Sequence, residues 1–201
     1  MKIGIISDIH GGLDKLNIAL KHLNQAGVDA ILCAGDLVDF GDYSDEVVQK
    51  IRAANIPCVQ GNHDRRARQK QASRGDKALQ EATLNMLDKL PLQRRFHWLN
   101  TEILLIHAAP WHGDMYIVPD SPLPLFRRVI KEAKADVTIL GHTHYPMWID
   151  VESSIIINPG SVSQNYYRDT GTYGILLLPD RNFSLFEVKT GKQIDLKKQS
   201  W

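Results

Sequence analysis

The chain of 201 residues suits one domain, 1–201, large enough to bury roughly 70% of the surface its unfolded form exposes. It is 43% hydrophobic and 23% charged with a formal net charge of +1, an ordinary globular composition without the broad basic field of a nucleic-acid binder. No run approaches the ~18 apolar residues of a membrane span, and the apolar stretch before Asp8 is too short for a secretory signal, so a cytoplasmic protein is expected.

Residues 2–7 read as a first strand, and Gly11-Gly12 permits a tight turn after it. Residues 13–26 place Leu13, Leu16, Leu20 and Leu23 at helical spacing, with Gly27 as the stop. A second strand is expected over 29–34, then a helix through Ala54 capped by Ser44, then a third strand over 56–60. Cys33 and Cys58 fall inside these apolar runs and are expected to be buried thiols, neither a disulfide nor metal ligands. After the basic stretch 65–75, helical periodicity returns over 77–90.

The second half is mostly strand. Residues 96–99 and 102–106 predict a hairpin turning at Asn100-Thr101, and a Pro-rich loop over 110–124 leads to a helix over 125–134. Five short strands follow, at 137–140, 147–151, 154–157, 172–178 and 182–188. A βαβαβα beginning with a mostly β finish predicts two packed sheets with helices outside.

Six of the apolar runs end in polar residues of the kind that bind metal: Asp8 and His10; Asp36; Asn62, His63 and Asp64; His107; His142 and His144; and Asn158. Ligands of parallel sheets gather outside the carboxyl ends of the strands, so these groups are expected to meet on one rim. Asp8-Ile9-His10 and His142-Thr143-His144 each place two ligands at i and i+2, on one side of extended chain. Gly61 before Asn62-His63-Asp64 allows a sharp exit from its strand. His22, His97 and His112 end no strand and are read as surface or packing residues, His112 being the nearest to a ligand position.

Asp8-x-His10, Gly35-Asp36, Gly61-Asn62-His63-Asp64, His107 and Gly141-His142-Thr143-His144, in this order and over nearly the whole chain, resemble the calcineurin-like metallophosphoesterase superfamily. Asn158-Pro159-Gly160-Ser161 resembles a turn of its small, cap-less bacterial and archaeal phosphodiesterase branch. The resemblance implies a four-layer α/β/β/α sandwich of two mixed sheets flanked by helices, with two divalent metal ions at the rim. It assigns Asp8, His10, Asp36 and His144 to the first metal and Asp36, Asn62, His107 and His142 to the second, Asp36 bridging. It makes His63 the residue that protonates the leaving oxygen or steadies the phosphate, with Asp64 orienting its ring. One departure stands out: the motif histidine is usually followed by Gly, whereas Ala108-Ala109-Pro110 follows His107 here and is expected to narrow the approach to the second metal.

The ligand types agree with a hydrolase. Two divalent ions ~4 Å apart can activate one water between them and clamp a phosphoryl oxygen for in-line attack. Asp, Asn and His without Cys favour Mn²⁺ as the working choice, with Fe²⁺, Zn²⁺ or Ni²⁺ as alternatives. The expected function is therefore a binuclear phosphoesterase that attacks through a metal-bridging hydroxide, open to small phosphodiesters and nucleotides. Its partner is a small phosphorylated substrate; no membrane or nucleic-acid partner is expected, and a homo-oligomer stays open. Arg65, Arg66, Arg68, Lys70 and Arg74 could hold extra phosphates of a dinucleoside polyphosphate, or simply form a solvated basic face. Trp111 and Tyr116, and Tyr166, Tyr167 and Arg168, are either substrate contacts or loop packing. Two rivals share the fold: a non-catalytic interaction scaffold like the retromer subunit, and a DNA nuclease.

Overall fold

The computed structural model describes residues 1–71, 78–164 and 170–200. Arg74, Tyr166, Tyr167, Arg168 and Trp201 lie outside the described residues.

Strands β1 (Lys2–Ile6) and β2 (Ala30–Cys33) pair in parallel, and α1 (Leu13–Gln25) makes the crossover between them. Helix α2 (Ser44–Ala53) follows, then the short α3 (Asn62–Arg66) and α4 (Glu81–Asp88). Strands β3 (Gln93–Trp98) and β4 (Thr101–Ile106) form an antiparallel hairpin. Helix α5 (Leu123–Ala133) leads to β5 (Val137–Ile139), parallel to β4. Strands β6 (Met147–Val151), β7 (Ser154–Asn158), β8 (Thr172–Leu177) and β9 (Asn182–Glu187) follow, then the two-residue β10 (Gln193–Ile194) and β11 (Gln199–Ser200). The described strands make a five-stranded sheet, β10-β9-β8-β1-β2, and a six-stranded sheet, β11-β6-β7-β5-β4-β3, both mixed.

Alternation along the strands explains the layering. Ile3 and Ile5 of β1 meet Ile103 and Leu105 of β4 and Val137 and Ile139 of β5 in the core between the sheets. Ile6 faces the other way, into a cluster with Leu16, Leu23, Val47, Ile51 and Leu87 from α1, α2 and α4. Leu104 and Ile106 pack likewise against Phe126, Val129 and Ala133 of α5. Sheets covered on both faces need unbroken apolar runs, which is why the runs and not alternation are visible in sequence. The result is the four-layer α/β/β/α sandwich. Among the described residues no helix is long and apolar enough to cross a membrane.

Three local expectations are revised, and two short strands are added. Residues 56–60 form no strand, only a single parallel bridge of Cys58 to Cys33, because Pro57 lacks the N–H a ladder requires. Ser44 is the first residue of α2 and makes no capping hydrogen bond; Tyr43 precedes it. The hairpin turns at Leu99-Asn100, both left-handed (φ 48° and 58°), one residue earlier than expected. Strands β10 and β11 are too short to carry a period. Both cysteines are free and buried.

Candidate metal centre

Parallel strands from both sheets end at the same rim, so the loops after β1, β2, β4 and β5 meet there. The loops after β1 and β2 are zipped together by backbone bonds: Asp8 N–H to Gly35 O (2.9 Å), Ile9 N–H to Asp36 O (2.8 Å) and Gly11 N–H to Leu37 O (2.8 Å). Five of the seven expected ligands sit in left-handed backbone: Asp8 (φ 53°), His10 (49°), Asp36 (55°), His142 (68°) and His144 (57°). Such conformations persist where the surroundings over-determine them, typically at functional sites. Two glycines give the needed clearance. A Cβ on Gly61 would overlap the Asp36 carboxylate, and one on Gly141 would overlap Ser7 Oγ.

The loop after β5 is pinned from three sides. The His142 N–H donates to the Asp8 carboxylate (3.1 Å), the Gly141 N–H to His107 O (3.0 Å) and the Asn158 Nδ2 to Gly141 O (2.7 Å), while Ser161 Oγ holds the loop after β1 through Asp8 O (2.7 Å). Asn158 therefore braces the ligand loop and is not itself turned to the centre.

All seven expected ligands come together. Ligand atoms of Asp8, His10 and His144 lie within 4.8 Å of one another, and so do those of Asp36, His107 and His142. Asn62 Oδ1 is 3.0 Å from His107 Nε2 and 2.8 Å from His142 Nδ1. Asp36 Oδ2 lies between the two groups, 3.2 Å from His107 Nε2 and 3.9 Å from His10 Nε2, while its Oδ1 accepts the His63 N–H (2.8 Å).

The tautomers test whether cations fit. His10 Nδ1–H donates to Val38 O (3.0 Å), His107 Nδ1–H to Ala34 O (2.6 Å) and His142 Nε2–H to Asp114 O (3.2 Å). In each neutral ring the other nitrogen then carries a bare lone pair. The His10 lone pair faces His144 Nε2 at 3.0 Å, a nitrogen that also lies 3.3 Å from Asp8 Oδ1 and can carry the proton between them, whereas the lone pairs of His107 and His142 face the Asn62 and Asp36 oxygens. Buried acceptors aimed at one another repel unless something positive lies between them. Two cations satisfy the set, and the carbonyl-anchored rings are the outer support that metal-ligating histidines usually have.

The titration directions show the same demand. Burial alone would raise the Asp36 carboxyl, but His107, His10 and His63 hold it below the ordinary carboxylate range. Burial would lower His107, yet the charge and hydrogen bond of Asp36, with Asp8, push it up to about 10. A proton there stands in for a cation. Burial lowers His10, and burial with His107 nearby lowers His142.

His63 sits at the edge of this cluster, its ring 4.9 Å from that of His10. The expectation that Asp64 orients it is corrected. His63 Nδ1 is bonded to Asp39 Oδ2 at 2.7 Å, and the same oxygen accepts Lys70 Nζ at 2.8 Å. Asp64 instead accepts the N–H groups of Asp36 (2.9 Å), Leu37 (2.8 Å) and Gly61 (2.9 Å), tying the loop after β2 to the start of α3. Burial and the charge of Asp36 push its carboxyl up to about 6. Neighbours on a helix point about 100° apart, so adjacency in sequence does not make Asp64 a partner of the His63 ring. Asp39 was missed, and its only signal was its place in the Gly35–Gly41 turn.

The basic stretch is largely engaged. Arg65 and Arg66 pair with Asp114, Arg68 with Glu81 and Asp88, and Lys70 with Asp39. Ala108 and Ala109 are buried, Ala109 packing with Phe126 and Val129, and a groove of about 530 Å³ remains beside His107. Trp111 packs under Arg128, 4.1 Å from its ring centroid, and Tyr116 lies 4.4 Å from His142. His112 accepts the Asp114 N–H and lines the groove beside His107, whereas His97 pairs with Glu102 and His22 stacks on Tyr173.

A sandwich of this kind, with paired His and carboxylate clusters at its rim, defines a metallophosphoesterase. Residues 1–181 match the calcineurin-like phosphoesterase superfamily domain, and the chain belongs to that superfamily of metal-dependent phosphoesterases. It is 29% identical to a phosphodiesterase of Methanocaldococcus jannaschii, over 88% of this chain and 92% of that protein. It is 30% identical to a protein of Methanothermobacter thermautotrophicus named probable metallophosphoesterase, over 80% and 77%. The crystal structure of a metallophosphoesterase from Sphaerobacter thermophilus superposes with a TM-score of 0.75 at 25% identity, covering 98% of this chain and 90% of that one.

Proposed function

We propose that the protein is a binuclear phosphoesterase acting on small phosphodiester or nucleotide-type substrates in the cytoplasm. The observation that carries this reading is the pair of lone-pair clusters joined through Asp36. Asp8, His10, Asp36 and His144 would hold one divalent ion, and Asp36, Asn62, His107 and His142 the other. Mn²⁺ suits these nitrogen and oxygen donors, as do Fe²⁺, Zn²⁺ and Ni²⁺. Two such ions supply an activated water and a clamp for phosphoryl oxygens.

The chain's own groups do the rest. Asp36 would share its negative charge between both sites, with Asp8 adding a second carboxylate at the first, and the carbonyls of Val38, Ala34 and Asp114 fix which nitrogen of their rings faces inward. His63, with Nδ1–H held by the Asp39 carboxylate, would act as the doubly protonated imidazolium, giving its Nε2 proton to the departing alcohol oxygen and taking one back from water afterwards. The intact ligand set and His63 favour an enzyme over the scaffold reading. The ion pairs of Arg65, Arg66, Arg68 and Lys70 weigh against extra phosphates bound there. Residues beyond 181 pair with both sheets, β10 with β9 and β11 with β6, which supports one domain over 1–201.

The test is elemental analysis with a substrate panel of monoesters, diesters and dinucleoside polyphosphates. Two ions per chain, loss of turnover on chelation and its recovery with Mn²⁺ are expected. A fully loaded protein inert toward every phosphate ester would refute the proposal.

A further inference from the structure

Large exposed apolar side chains are unevenly placed on this surface. Among the described residues they are Ile18, Phe40, Tyr43, Leu92, Leu99 and Tyr116, and the three aromatic ones all rim the candidate centre. Phe40 is the most exposed, at 78%. Its ring is 4.9 Å from His10 and 5.0 Å from His63, the residue proposed to protonate the leaving oxygen.

Phe40 is also held in left-handed backbone (φ 60°), which a bulky residue adopts only at a cost. The loop is fixed there by Gly41 N–H to His10 O (2.8 Å) and Tyr43 N–H to Gly11 O (3.3 Å). Gly11 and Gly41 approach so closely that a Cβ on Gly41 would lie 2.5 Å from His10 O. An exposed aromatic ring on strained, locked backbone gains nothing for the core. Beside it runs a groove of about 500 Å³, bounded by His10, His144, Phe40 and Tyr43, within the size range of small-molecule sites. Its charged side chains are Asp14, Asp42 and Lys15, and the Lys15 amine donates to Ser163 O. That balance disfavours a second phosphate and suits an uncharged flat group.

We propose that this groove is a subsite for a planar aromatic group carried by the departing alcohol, aryl or nucleobase, stacked on Phe40. The proposal rests on the phosphoesterase reading and adds its selectivity.

The experiment is calorimetric binding to the metal-loaded protein of three phosphonates, whose P–C bond resists hydrolysis: methylphosphonate, benzylphosphonate and the methylenephosphonate analogue of AMP. Stacking predicts that an aromatic ligand binds roughly 5- to 150-fold tighter than methylphosphonate. Equal gains for the benzyl and nucleoside ligands assign the groove to any aryl group, and a gain for the nucleoside alone assigns it to a nucleobase. Phe40→Asn, which tolerates left-handed backbone, should bring the ratio close to one, and Phe40→Trp should keep it. No aromatic preference in the natural protein, or an undiminished preference in Phe40→Asn, overturns the subsite while leaving the phosphoesterase reading intact. Failure of all three phosphonates to bind overturns both.

Discussion

Replacing Asp39 by Asn is expected to slow turnover roughly five- to tenfold without loss of metal. The His63–Asp39 contact is short, 2.7 Å, and both side chains are mostly shielded from water. A hydrogen bond to a charged group contributes about 1.5–3 kcal/mol and a neutral one about 0.5–1.5. Asn keeps an acceptor for Nδ1–H but not the charge, so the loss is about 1–1.5 kcal/mol, and each 1.36 kcal/mol is tenfold in rate. Asn is the suitable replacement because Asp39 has φ 76°, where Ala would add strain of its own. His63→Ala should cost about 10²–10⁴-fold. The assay is steady-state hydrolysis of an aryl phosphodiester by both single variants and the double variant. If Asp39 acts only through His63, the double variant is no slower than His63→Ala, and the single Asp39 effect falls on kcat with KM nearly unchanged. Multiplying losses in the double variant, or an Asp39→Asn protein as fast as the natural one, would refute the assignment.

Asp36→Asn should bind one divalent ion or none by elemental analysis; two ions retained would rule out a bridging carboxylate. Asp64→Ala leaves three buried N–H groups without an acceptor, each costing about 1–3 kcal/mol, so denaturant unfolding should show a loss of at least ~3 kcal/mol. A loss under about 1 kcal/mol would mean that its bonds are not what ties the loops. In the metal-free protein His107 binds its proton more tightly folded than unfolded, so stability should fall as pH rises from 6.5 towards about 10. Metal must displace that proton at neutral pH, so affinity should increase with pH and binding should release protons. Calorimetry in buffers of different ionisation enthalpy measures the release, and none at pH 7 would contradict the charge assigned to His107.

The seven expected ligands were legible because each closes or follows an apolar run, and parallel strands packed on both faces must put such residues at one rim. The partner of His63 was not. Asp64 is next in sequence, yet it turns toward backbone amides, while Asp39 arrives from a separate loop in left-handed conformation. Residues 56–60 looked like a strand by composition, and Pro57 limits them to one bridge.

Composition and order of residues thus determined the layers, the list of candidate metal-binding groups and the rim on which they gather, since burial of apolar runs depends mainly on local pattern. Which ring nitrogen faces inward, which carboxylate holds His63 and where an aromatic platform stands were decided only by the tertiary structure. These depend on contacts between loops distant along the chain, where a single hydrogen bond to a carbonyl such as Val38 or Ala34 selects one of two equally available ring nitrogens.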